Sequence, residues 1–141
     1  MGDIKSKFES EQQKAFINIK YTATYFSQIL EKIFIEFKIS SKQYNVLRIL
    51  RGAKDPIKVS EVKERMFEKS PNTTRLMDKL LTKDLIIRSR KNNDRRAVYV
   101  EITQKGLDLL NQINVDDNRL ELTKISVEEA KELNRILDKI R

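Results

Sequence analysis

From Phe16 onward, apolar residues recur at Ile19, Ala23, Phe26, Leu30, Ile33 and Phe37 in alternating steps of three and four. Such a heptad seam is brought to one side only by a long α-helix. Ile17, Ile29, Phe34 and Ile35 widen the stripe beyond what one small neighbouring lobe would cover, so the helix is expected to pack against a partner chain as well. A chain of 141 residues builds one core rather than two independent ones, which predicts a single domain over residues 1–141.

Downstream, the local signals are short and closely spaced. Ser40 to Gln43 reads as a capping box that opens a second helix carrying Tyr44, Leu47 and Leu50, which should stop at Gly52 ahead of an Asp55–Pro56 turn. Val59 to Met66 reads as a short third helix with Val62 and Met66 inward and no good cap at its start. Ser70 and Pro71 predict an N-cap and first position for a fourth helix reaching about Lys83, with Leu76, Met77, Leu80 and Leu81 turned inward. Ile86–Lys91 and Ala97–Ile102 read as strands around a basic turn. Thr103 caps a helix expected to continue towards Leu120 or Leu122. A second capping box at Ser126 to Glu129 starts the last helix, lined by Ala130, Leu133, Leu137 and Ile140. The order predicts a mainly α fold with a small β-hairpin, and three short helices followed by a hairpin is the winged helix-turn-helix plan.

Charge is distributed unevenly along this plan. Residues 38–105 carry eighteen basic and eight acidic side chains, against five and five before them and six and eight after, so the segments carry +10, 0 and −2 and all the excess positive charge of a chain with net +8 lies in the winged region. A polyanionic partner is the expected reason. With no Cys and no His, the chain offers no disulfide framework, thiol switch, His base or Cys/His zinc site. No nucleophile-base set, metal-ligand cluster or Gly-rich phosphate loop is visible either, so neither an enzyme nor a metal or other cofactor is expected. The longest apolar run, Ala97 to Val100, is far short of the roughly 18 residues a membrane span needs, which predicts a cytoplasmic protein without a membrane partner.

Two features make double-stranded DNA the expected ligand. Asn72, Thr73 and Arg75 in the first turn of the fourth helix are side chains able to read base edges in the major groove, while Ser70, Thr74 and the helix start suit phosphate. Arg95 and Arg96 at the hairpin tip suit the negative potential of the minor groove, and Arg88, Arg90 and Lys91 extend the positive ribbon.

In the order Ser70, Thr73, Thr74, Arg75, Leu76, Asp78 and Leu80, then Leu85, Ile86 and Arg88, then Asp94, Arg96 and Val98, and finally Ile102, Thr103 and Gly106, the chain resembles the multiple antibiotic resistance regulator (MarR) family of bacterial transcription factors. It departs where the family usually has Gly after the fourth helix, here Asp84, where Phe67 stands at a common Gly position, and where Lys58 replaces a Ser or Thr cap. The resemblance implies that residues 1–37 and 104–141 form dimerisation helices around a winged-helix lobe at 38–103. It implies a homodimer on a pseudo-palindromic operator, acting as a repressor, with Asp94 orienting Arg96 in the minor groove. It also raises a small-molecule effector in a cleft that Tyr21, Tyr25, Phe26, Tyr44 and Leu47 would border. The alternative function is a winged-helix adaptor that binds protein instead of specific DNA.

Overall fold

The computed structural model describes residues 8–66, 71–90 and 96–141. The chain orders itself as α1 (Glu11–Ile35), α2 (Ser41–Ala53), β1 (Ile57–Lys58), α3 (Val59–Arg65), α4 (Thr73–Thr82), β2 (Ile86–Ser89), β3 (Tyr99–Ile102), α5 (Gln104–Gln112), a 3-10 turn (Leu122–Lys124) and α6 (Val127–Ile140). These elements fall into two compact units, one containing the chain up to Leu30 together with Asp116–Arg141, the other Glu31–Val115.

The Glu31–Val115 unit is the winged helix. Its first turn of α2 is fixed by a reciprocal pair: Ser40 Oγ accepts from the Gln43 amide at 3.1 Å, and Gln43 Oε1 accepts from the Ser40 amide at 2.9 Å. Both orphan donors are satisfied by side chains already in sequence proximity. The helix then runs through Gly52 to Ala53, and the positive φ of 64° falls on Lys54. Gly52 is therefore not the stop its sequence suggested, because nothing at that position requires a left-handed backbone. α2 packs against α3, α4, α5 and β3. Val46, Leu47, Val62 and Leu80 are fully enclosed at the centre.

The sheet is antiparallel in the order β1-β3-β2. Ile86 pairs with Ile102 and Arg88 with Val100 on one side of β3, and Ile57 pairs with Val100 on the other. Ile57 lies opposite Val100, and Ile86 lies opposite Ile102 two residues further along β3, so alternation puts Ile57, Ile86 and Val100 on one buried face. The two-residue β1 is an addition to the expected hairpin. Two residues are too few to show alternation in sequence, and Pro56 before them marks only extended chain.

Besides Lys54 after α2, two further helix ends in this unit reverse without glycine. At the end of α4, the Leu85 amide donates to the Leu80 carbonyl and the Asp84 amide to the Leu81 carbonyl, both at 3.0 Å, with Asp84 left-handed at φ 59°. This is a Schellman motif, and buried Leu80 and Leu85 supply its apolar contact. The same pair of bonds closes α1, from Ile39 to Phe34 and from Lys38 to Ile35, with Lys38 at φ 58°. The Lys83 ammonium donates to the Lys38 carbonyl, tying the two reversals together.

α4 begins at Thr73 rather than at Pro71. Pro71 lies in a turn, Asn72 occupies the N-cap at φ −103° and ψ 30° without a capping hydrogen bond from its own side chain, and the expected cap Ser70 lies outside the described residues. α5 ends at Gln112, well before Leu120. The Asn114 to Asn118 run that follows prefers local turns: Asp116 accepts the Arg119 amide on its side chain at 2.9 Å and the Leu120 amide on its carbonyl at 3.1 Å.

The other unit contains the first part of α1, the 3-10 turn and α6. Among the described residues every buried apolar side chain belongs to the winged-helix unit. In this unit Phe16, Ile19, Tyr21, Val127, Leu133 and Ile140 are all exposed, Phe16 to 59% and Ile140 to 64%. Ser126 and Glu129 cap α6 reciprocally, at 3.1 and 2.8 Å, as the sequence predicts. The Tyr25 hydroxyl donates to Glu121, whose carboxylate also takes the Lys124 ammonium at 2.8 Å. Glu121 stands left-handed at φ 58°, in a glycine-free reversal of the same kind. The hydrogen bond to Glu121 raises the Tyr25 phenol above its ordinary range, and Lys124 ahead of Tyr25 holds the Glu121 carboxyl below its own.

Two outcomes test this architecture. A methyl group at Gly106 would press on the Leu85 carbonyl oxygen and come within 2.6 Å of Ile102 Cγ1, whereas one at Gly52 meets nothing within 4 Å. In urea unfolding Gly106→Ala should lose roughly 1–3 kcal/mol, and Gly52→Ala should gain about 0.5–1 kcal/mol. In a spectrophotometric titration of the four tyrosines, Glu121→Gly should return one late-ionising phenol to lower pH, because it removes the acceptor and the negative charge that hold Tyr25 protonated. An unchanged titration curve would exclude this contact.

Candidate nucleic-acid interface

The fourth helix presents a polar first turn, but not with all the side chains the sequence suggested. Asn72, Thr74 and Arg75 are exposed. Thr73 is turned inward, 1% exposed, and its hydroxyl points to the Met66 sulfur at 3.9 Å. It therefore stitches the start of α4 to the end of α3 and cannot offer its hydroxyl to a base edge. The signal was present: Thr73 precedes Met77 by four residues and Leu80 by seven, so it continues the buried stripe of the helix.

At the wing, Arg90 and Arg96 are exposed at the two described ends of the hairpin. Lys91, Asp94 and Arg95, like Ser70, fall outside the described residues. Arg88 is engaged with α4: its Nη2 lies 3.3 Å from Asp78 Oδ1. That partner was missed in sequence, since a ten-residue separation across a helix end has no periodic signature.

Of the five aromatic and apolar cleft candidates, Tyr21 and Tyr25 border a shallow hollow on α1 with Asn18 and Thr22. Phe26 meets Tyr25 edge-on, ring centroids 5.6 Å apart. Tyr44 and Leu47 belong to the winged-helix unit instead, where Tyr44 stacks on Phe34 at 4.4 Å and Leu47 has no exposed surface. Leu47 is thus core and offers a ligand nothing to touch. Among the described residues, no group of acidic side chains is arranged to hold a metal ion, and no helix is long and apolar enough to cross a membrane.

A helix with a polar, basic start followed by a basic antiparallel wing defines a winged-helix DNA-binding protein. The MarR family profile matches residues 39–98. A MarR transcription factor from Planctomyces limnophilus is 32% identical, with a TM-score of 0.71 over 94% of this chain and 98% of that one. A mutant MarR from E. coli complexed with operator DNA is 26% identical, with a TM-score of 0.82 over 96% and 99% of the two chains. The transcriptional regulator MgrA of Staphylococcus aureus is 29% identical over 110 residues, 77% of this chain and 74% of its own length. The chain belongs to the MarR family and is a DNA-binding transcription regulator.

The placement of Thr73 has a measurable consequence. Thr73→Val keeps the buried shape and removes the hydroxyl, so it should lower unfolding stability by about 1 kcal/mol while leaving the ranking of bound DNA sequences unchanged. A changed ranking would restore Thr73 to base readout.

Proposed function

We propose that this regulator is a repressor that binds a pseudo-palindromic operator as a homodimer, with the start of α4 in the major groove and the β2-β3 wing in the minor groove. The observation that carries this reading is the division of surface between the two units. All buried apolar residues described lie in the winged-helix unit, while α1 and α6 hold out a broad apolar stripe. A stripe of that kind on a chain of this charge is best covered by a second copy, which would set two α4 helices about 34 Å apart, one turn of DNA.

Within that reading, Asn72 and Arg75 reach base edges, and Thr74 and the helix start take phosphate. Arg90 and Arg96, with Lys91, Asp94 and Arg95 between them in sequence, supply the minor-groove and flanking phosphate contacts. Dimerisation falls to residues 8–30 and 116–141. α5 serves the winged-helix lobe, since Leu110 and Ile113 are buried within that unit. Repression follows from occupancy: a dimer covering about two turns of duplex excludes other proteins from the same face. A small-molecule effector, if bound at the α1 hollow, would meet Tyr21 and Tyr25. The E. coli relative complexed with operator DNA supports the DNA mode.

Selection of bound fragments from random duplex DNA should recover an inverted repeat, and sedimentation should give twice the chain mass. Recovery of a single half-site by a monomer would overturn the dimeric reading. In anisotropy titrations Arg96→Ala should weaken binding to the selected duplex and reduce the salt slope by about one counterion. Lys131→Ala, on exposed α6, should change neither.

A further inference from the structure

We propose that Arg88 and Asp78 form a strut that sets the rotation of the recognition helix against the wing, which makes Arg88 a positioning residue and not a phosphate contact. The inference rests on the DNA-binding mode proposed above and deepens it.

Strand alternation and register fix where Arg88 points. It sits two residues after Ile86 and directly across from Val100, each 1% exposed, and therefore on the face of β2 that is turned towards α4 and the core. Its guanidinium ends 3.3 Å from Asp78, about half of each side chain being exposed. Asp78 follows Thr74 by four residues and Arg75 by three, so it shares the exposed side of α4 with the side chains proposed to meet DNA.

An isolated carboxylate there would repel phosphate. Paired with Arg88, it instead gives α4 a polar stop. α4 and β2 are neighbours and bury Leu80 and Ile86, but apolar burial has no preferred azimuth, and the Schellman reversal at Asp84 fixes only the end of the helix. A polar contact at mid-helix adds the direction that packing lacks. An exposed pair of this kind is weak, so its effect belongs to specificity, not to folding.

The test compares a duplex selected from random sequence by the wild-type protein with an unselected duplex, by fluorescence anisotropy across a salt series. Asp78→Asn and Arg88→Gln should each lower the selected-to-unselected affinity ratio by about fivefold. The double variant should lose no more than either one, and the salt slope of Arg88→Gln should match the wild type. A phosphate-contacting Arg88 gives the opposite pattern and overturns the strut: the slope falls by about one counterion, and Asp78→Asn tightens binding to both duplexes without changing their ratio. If the wild-type protein selects no duplex at all, the DNA-binding mode itself fails and takes the strut with it, a result visible before any variant is made.

Discussion

Recognition helix, wing and α5 meet at one joint, and the winged-helix unit depends on it. Thr103 accepts the Gly106 amide at 3.0 Å to cap α5, donates its hydroxyl to the Asp84 carbonyl at 2.6 Å, and donates its own amide to the Leu85 carbonyl at 3.0 Å. Gly106 then lies so close to Leu85 and Ile102 that no side chain fits between them. The end of α4, the base of the sheet and the start of α5 are thereby fixed by a few hydrogen bonds and one close approach. An angular error there would be carried along α4 to its DNA-facing start.

The rest of the unit adds apolar burial to that joint, but the burial is confined. Its core closes on itself around Val46, Leu47, Val62, Leu80, Ile86 and Val100, and α1 contributes only its last turns, through Ile33 and Phe34. Earlier in α1 the same heptad seam continues with Phe16, Ile19 and Ala23 exposed and Phe26 and Leu30 half-buried. One continuous helix thus belongs to two environments. This is the physical basis for assigning the seam to a partner chain, and it separates the surface proposed for assembly from the surface proposed for DNA.

Much of this was legible in the chain itself. Both capping boxes, the Thr103 cap, the inward faces of α3 and α4, and the order of helices before the hairpin follow from residues within one or two turns of each other. The concentration of positive charge in residues 38–105 pointed to the same segment that folds as the winged helix. Of the site residues, Asn72, Thr74, Arg75, Arg90 and Arg96 are exposed, so the proposed DNA contacts are open to them. Thr73 was misread because its hydroxyl suggested a polar role, although its spacing placed it on the apolar stripe. The early end of α5 was misread because Leu120 and Leu122 prolonged a helical pattern that the local hydrogen bonds of Asp116 interrupt.

The sequence by itself determined which segments form the helices and the two hairpin strands, where most helices begin, and which segment carries the charge. Each of these is set by hydrogen bonds or periodicities spanning a few residues. Tertiary structure decided that β1 joins the sheet through Val100, that Arg88 meets Asp78, that Leu47 is sealed in the core and that Lys54 rather than Gly52 takes the positive φ after α2. The first three depend on which distant residues share a face once the helices and the sheet have packed. The last depends on the path the chain must follow from α2 into β1. Neither is written in the spacing of neighbouring residues.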